Sequence, residues 1–326
     1  KEDGTKVVTI NLSEVDENKL QERYEAKVIL EVPIYDMADI KDNKLNIADK
    51  VFFADAIDAI PRMYFDVKVD EKGKIYVFEP YAERIQMFNQ DGKRIKIIPV
   101  KNVVGKITFD EINPDRFKVE GIKDEFVVGG GNIYLRDTIK NKIEKMDETG
   151  KVFETVEIPE KIDGKETRYM KMWADESGVG VDVKKKIQKT VTVQEIDKRT
   201  LYIQSEKQRI LINQGTRDAV WYSPKTRGDS IFVSSEGKRG VESGFVKISI
   251  NGNVLAMVRD WKYIFSDEWK DECGNGPQPL MRSWEQSMPV DSKGNLYFLQ
   301  TICCKNTLNC ERKIRIIKLK TIKAKE

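Results

Sequence analysis

A pair of turns recurs in this chain at a fixed distance. Asp70-Glu71-Lys72-Gly73 and Asn89-Gln90-Asp91-Gly92 place Gly73 and Gly92 19 positions apart, and Gly131 and Gly150 are again 19 positions apart. In both copies a tyrosine, Tyr76 or Tyr134, follows the first glycine by three residues, and a methionine, Met87 or Met146, stands at or near the end of the third run. The runs between the turns alternate Val, Ile, Tyr and Phe with polar residues, which is the pattern of half-buried strands. Glycine at a set offset is what a tight hairpin requires where the backbone enters the left-handed region. Four strands joined in this way form a meander of the kind that builds one propeller blade, and recurrence of such a unit marks a repeat architecture.

Looser copies follow. Tyr169–Asp175 leads through Ser177-Gly178 to Val179–Val183, and Asp229–Val233 leads to Phe245–Ile250 with the turn Asn251-Gly252. Met288–Gly294 opens Asn295–Leu299, followed by Lys313–Leu319. From Tyr76 to Tyr297 is 221 residues over four steps, or about 55 per step, longer than a compact blade and so with insertions between blades. Residues 101–123 and 263–284 are the expected insertions. The fold class expected is all-β, one β-propeller domain over residues 1–326, with six blades of four antiparallel strands and five or seven as alternatives. Residues 1–60 supply the closing strand, with Lys27–Val32 and Lys50–Phe53 as the strand-like stretches, which removes an exposed edge. Glu14–Glu25 has the charge and spacing of a short helix that Ser13 caps.

The unit Val69-Asp70-x-x-Gly73-x-Ile75-Tyr76-Val77 with Arg84-Ile85-x-x-Phe88-x-x-Asp91-Gly92-Lys93 resembles the NHL-type six-bladed β-propellers, especially their bacterial exported and lipoprotein members. Asp291-Ser292-Lys293-Gly294-Asn295-Leu296-Tyr297 is a second match. The resemblance spans residues 65–319 and implies a fold. Proteins of this type bind proteins, glycans or small ligands, and a minority are calcium- or zinc-dependent lyases and lactonases that lean on histidines.

This chain has no histidine, which excludes Ser-His-Asp and Cys-His catalysis and any histidine metal site. Lys and Arg number 57 against 54 Asp and Glu, a formal net charge of +3, so the basic surplus expected of a nucleic-acid binder is missing. No apolar run is long enough for a membrane-spanning helix. The polar lead Lys1–Lys6 reads as the start of a processed, exported protein, periplasmic or on the outer surface, whose lipid anchor is lost with the removed segment, or else as a trimmed chain. Cys273, Cys303, Cys304 and Cys310 fall in the last fifth of the chain and are expected to form disulfides, Cys303 or Cys304 with Cys310 and the other of the pair with Cys273. Free buried thiols are the alternative.

Trp261, Trp269, Asp271, Arg282 and Trp284 gather aromatic and charged side chains in the 263–284 insertion and its flank, a contact surface for a protein or glycan. Packing between blades is the other use of such tryptophans. Asp70, Asp175 and Asp291 recur at the close of the first strand, where a carboxylate either helps to hold calcium or accepts N–H bonds in the turn; the turn is the expected role. Gly129-Gly130-Gly131 reads as a turn rather than a phosphate loop. Lys313–Lys320 alternates cations with apolar residues, a solvated outer strand or a contact for anionic lipid or peptidoglycan. The function expected is a non-catalytic, exported propeller that binds a protein or envelope component through loops on one face, without a cofactor. The alternative is a calcium-dependent hydrolase or lyase with a channel site.

Overall fold

Strands occupy the stretches where Val, Ile, Phe and Tyr alternate with polar residues, and the connections turn at glycines with positive φ. The computed structural model describes residues 6–35, 51–52, 66–79, 83–101, 103, 106–109, 117–120, 123–137, 140–162, 164–167, 171–175, 178–182, 191–197, 200–205, 208–213, 219–221, 225–237, 244–259, 264–265, 267–271, 277–279, 289–302 and 313–324. Contacts divide the chain into two compact units: one holds Ile29–Val183 and Thr301–Ile316, the other Lys1–Val28, Lys184–Gln300 and Ile317–Glu326.

In the unit containing Ile29–Val183, Asp66–Val69, Ile75–Glu79, Arg84–Phe88 and Arg94–Pro99 pair in chain order as an antiparallel sheet. Lys123–Gly129, Asn132–Asp137, Lys142–Met146 and Val152–Glu157 form a second sheet of the same kind. Lys171–Asp175 pairs with Gly178–Asp182, and the expected insertion at 101–123 holds the hairpin Lys106–Phe109 with Phe117–Glu120. Successive sheets stack face to face. Tyr76, Phe78, Ile85 and Met87 pack with Phe126, Ile133, Leu135 and Met146, and the rings of Phe78 and Phe126 lie 5.4 Å apart. The second sheet in turn packs Tyr134 and Ile143 with Met172 and Val181. Every residue of Ile75–Glu79 is buried, the condition of a strand inside a stack with neighbours on both faces. Each large apolar side chain so enclosed stabilises the fold by about 1.5–3 kcal/mol.

The other unit repeats the arrangement. Val191–Asp197, Thr200–Ser205 and Gln208–Asn213 are antiparallel, and Lys6–Asn11 joins them in parallel beside Gln208–Asn213. The next sheet contains Ala219–Trp221, Ser230–Gly237, Gly244–Ser249 and Val254–Val258. Leu201, Ile203, Ile210 and Ile212 of one sheet pack with Ile231, Val233, Val246 and Ile248 of the other. Phe232, Phe245 and Val258 then pack with Leu296, Phe298, Ile317 and Leu319.

The last two strands belong to a sheet of order Gln278–Pro279, Leu296–Ile302, Lys313–Lys323, Glu22–Tyr35, Val51–Phe52. The N-terminal segment therefore contributes to two sheets rather than to one. The helix expected over Glu14–Glu25 is not formed: single 3-10 turns occupy Leu12–Glu14 and Glu17–Lys19, and a strand begins at Glu22. Arg23, Glu25 and Lys27 are exposed there while Tyr24 and Ala26 are half-buried, so the segment alternates with the period of a strand.

One turn geometry recurs. Asp70 accepts from the N–H groups of Lys72 and Lys74, Asn89 from Asp91 and Lys93, Asp147 from Thr149 and Lys151, and Asp291 from Lys293 and Asn295, all through Oδ1 at 2.7–3.2 Å. The fourth residue of each is a glycine with φ between 78° and 82°. Three of the turn glycines also allow close approach. A Cβ on Gly150 would lie 2.5 Å from the Pro99 carbonyl oxygen, one on Gly92 would overlap the Ile29 carbonyl, and one on Gly252 would lie 2.9 Å from Val8. In each case the turn of one sheet rests on a strand of another: Arg94–Pro99 and Lys6–Asn11 are edge strands, and Glu22–Tyr35 is next to the edge.

Candidate functional site

In a four-stranded meander the first and third connections share one end of the sheet, and the second connection lies at the other. The first end is closed by the aspartate and asparagine turns. Two of its carboxylates have both oxygens occupied locally: Asp70 Oδ2 also accepts from the Tyr76 hydroxyl at 3.2 Å, and Asp291 Oδ2 from Asn295 Nδ2 at 2.7 Å and the Tyr297 hydroxyl at 2.9 Å. Burial pushes the Asp70 carboxyl above its ordinary value, against the N–H groups of Lys74 and Lys72 that favour the anion. Burial likewise pushes the Tyr76 hydroxyl up, and the Asp70 carboxylate adds to it. These two aspartates hold turns, as the sequence suggested. Asp175 closes the strand Lys171–Asp175. Among the described residues, no three His, Cys, Asp or Glu side chains are grouped to hold a metal ion.

The opposite end carries polar side chains within the stack. The residue six places after the first-turn glycine is Glu79, Asp137, Ser234 or Gln300 in four sheets; Glu79 and Asp137 end their strands, whereas Ser234 and Gln300 lie inside Ser230–Gly237 and Leu296–Ile302. Three of these, Glu79, Ser234 and Gln300, are at most 4% exposed. Glu79 accepts from Arg84 Nε at 2.9 Å, from Arg84 Nη2 at 3.2 Å and from Gln86 Nε2 at 2.9 Å, a buried charge matched by a forked partner. In the neighbouring sheet Arg136, fully buried, donates to Glu125 at 3.0 Å and to the Thr167 carbonyl at 2.5 Å, and Glu125 accepts from the Met172 N–H at 2.6 Å. That set ties the sheet to the hairpin 161–167 and to the strand 171–175.

In the other unit, Gln300 Nε2 donates to the Trp269 carbonyl oxygen at 2.5 Å. This bond fixes part of the 263–284 insertion to the same, non-aspartate end of its sheet. Trp269 is half-buried, edge-on to Phe265 with ring centroids 5.3 Å apart, and Phe265 meets Phe298 at 5.0 Å. The indole therefore packs against the core and stays partly exposed. Asp271 is half-buried close by in sequence. Trp261, Arg282 and Trp284 lie outside the described residues, as do Cys273, Cys303, Cys304 and Cys310. Sequence reasoning missed Glu79, Arg84, Glu125 and Arg136; a polar residue repeated six places after the first-turn glycine signals Glu79, and the other three carry no such signal.

The basic row at the C-terminal end is largely paired. Arg315 and Lys313 meet Glu31 at 2.9 and 3.3 Å, and hydrogen bonding from Arg315 holds the Glu31 carboxyl below its ordinary value. Lys318 lies over the Tyr297 ring at 5.8 Å. No described helix is long and apolar enough to cross a membrane.

No family model matches the chain, and no curated protein matches it. Among solved structures, a member of the DUF4221 family from Bacteroides vulgatus is similar to it at 9% identity and a TM-score of 0.44, covering 95% of this chain and all of that one. A candidate exported protein from Bacteroides fragilis is similar at 7% identity and a TM-score of 0.42, covering 98% of this chain and all of that one. Virginiamycin B lyase from Staphylococcus aureus is similar at 12% identity and a TM-score of 0.27, covering 78% of this chain and 94% of that one. No residue role is carried over from any of them.

Proposed function

We propose that the chain is an exported, non-catalytic β-propeller, one domain over residues 1–326, that binds a protein or cell-envelope component through the loops at the non-aspartate end of its sheets. The observation that carries this reading is the Gln300–Trp269 bond. It anchors an aromatic insertion at the end that carries the sheet-to-sheet connection between Val254–Val258 and Gln278–Pro279, whereas the other end is closed by turns in which the Asp291 acceptors are already occupied. A half-open tryptophan braced from behind by Phe265 loses little side-chain freedom on contact, which favours its use as an anchor.

In this reading the sheets succeed one another around an axis as six blades of the NHL type, with Glu22–Tyr35 as the closing strand. The order of that strand beside Lys313–Lys323 supports it, as does the seat that Ile29 provides for the Gly92 turn of the first sheet. The four cysteines supply the reason for an oxidising, exported location, and the lipid anchor remains part of the same proposal. Shortening residues 263–284 while leaving the thermal transition in place is expected to abolish capture of the partner from envelope fractions; unchanged capture would refute the anchor.

A further inference from the structure

The outer edge of Gln208–Asn213 is completed by a strand from the start of the sequence. Lys6–Asn11 runs parallel to it in register, from Lys6 opposite Gln208 to Asn11 opposite Asn213. Ile10 is buried and Val8 half-buried in the core formed by Leu201, Ile203, Ile210 and Ile212, whereas Val7 is 51% exposed. The edge is thus an acceptor for an extended strand: it supplies backbone partners and two apolar sockets, one of them walled by Gly252. Lys6–Asn11 continues into Leu12–Gln21, a linker with two single 3-10 turns whose polar residues are mostly exposed while Leu20 is buried in the same core and Leu12 and Val15 pack against it. Arg259 pins that linker, through Glu17 at 2.8 Å and the Val15 carbonyl at 2.6 Å. A parallel edge strand seated by two side chains opens at a cost well below that of unfolding the sheet.

We propose that Lys6–Asn11 is an exchangeable strand, and that the edge of Gln208–Asn213 accepts the Lys6–Asn11 strand of a second copy, giving a reciprocal dimer. The contacts are the same within one chain and between two, so the linker and the protein concentration set the balance. The Arg259 contacts favour the intrachain form, and Arg259→Ala releases the strand for exchange. Apolar residues at alternate positions give the edge its selectivity for this segment.

Full-length chains carrying Thr9→Cys alone and Leu211→Cys alone, which are register partners, are mixed at ~100 µM, a concentration at which weak association is populated. Each is also mixed with the parent chain to measure thiol background. A disulfide-linked heterodimer severalfold above background, increasing with concentration and forming faster with Arg259→Ala, is expected. Ile10→Asp in the Thr9→Cys chain is expected to return the yield to background. The Thr9→Cys/Leu211→Cys double variant, in dilute solution, reports whether the pair closes within one chain. Closure in the double variant with no heterodimer in the mixture would overturn the proposal, as would a heterodimer indifferent to Ile10→Asp.

Discussion

Asp291 accepts the Tyr297 hydroxyl at 2.9 Å, and Asp70 accepts that of Tyr76 at 3.2 Å, across the same six-residue step. The two pairs differ in one neighbour. Asn295 Nδ2 also donates to Asp291 Oδ2, whereas among the described residues the tyrosine hydroxyl alone donates to Asp70 Oδ2. Asp70→Asn keeps the acceptor that serves the turn, and its new amide can donate to the tyrosine oxygen, as Asn89 already serves an equivalent turn. Its cost is expected to stay within about 0.5 kcal/mol in urea unfolding, against about 1–2 kcal/mol for Asp70→Ala, which leaves two N–H groups without their acceptor. Asp291→Asn sets two amide groups facing each other and is expected to cost about 1–3 kcal/mol.

Gly131 and Gly150 both have positive φ, 76° and 82°, but their surroundings differ. An added Cβ meets nothing within 4 Å at Gly131 and a backbone oxygen 2.5 Å away at Gly150. Gly131→Ala is therefore expected to cost about 1 kcal/mol for backbone strain alone. Gly150→Ala adds the displacement of Pro99 from its seat and is expected to cost more than about 2 kcal/mol by the same unfolding measurement.

The carboxyls respond to acid with opposite signs. Glu31, held below its ordinary value of 4.5 by the hydrogen bond from Arg315, contributes stability that is present at neutral pH and lost as pH falls through its folded-state value. Asp70, pushed above its ordinary 3.8 by burial, costs stability while ionised, and that cost is relieved as pH falls. Melting temperatures across pH 3–7 are expected to show a shallower acid-side loss for Glu31→Gln than for the parent chain, and a steeper one for Asp70→Asn, if each substitution leaves the fold intact. The same slope for all three would remove the assignment.

Both oxygens of Asp70 and Asp291 are taken by N–H and O–H donors. A calcium ion would have to displace those bonds to be held there. Adding ~1 mM calcium, or a chelator, is therefore expected to move the melting temperature by less than about 1 °C, since a ligand stabilises only by binding the folded state. A larger calcium-dependent rise would reopen the channel-metal reading.

The strands and turns were legible because their chemistry is local. A left-handed turn position selects glycine, and a hairpin closed by Oδ1 selects Asp or Asn three residues earlier, so Gly73, Gly92, Gly150 and Gly294 stand out in a string of letters. Lys27–Val32 read as strand, but the start of the strand Glu22–Tyr35 was obscured because its charges suit a helix; the alternation of Arg23, Tyr24, Glu25, Ala26 and Lys27 becomes decisive only once Lys313–Lys323 lies beside it. Buried Arg136 and Glu79 were not legible for a related reason. Arginine and glutamate read as surface residues until the register places Glu125 opposite Arg136 and Arg84 opposite Glu79. Trp269 was singled out from its neighbours in sequence, but its bond to Gln300, 31 residues away, depends on where the insertion folds back.

The claim that the partner is met at the end bearing Trp269, and not at the aspartate-turn end, has a direct test. A photo-crosslinking residue is placed in turn at Trp269, which is half-buried at one end of the sheet, and at Lys293, which is exposed in the Asp291 turn at the other. Irradiation in the presence of the envelope fraction is predicted to give a covalent adduct of a single discrete mass from position 269 and none from position 293. An adduct from position 293 with none from position 269 would contradict the account.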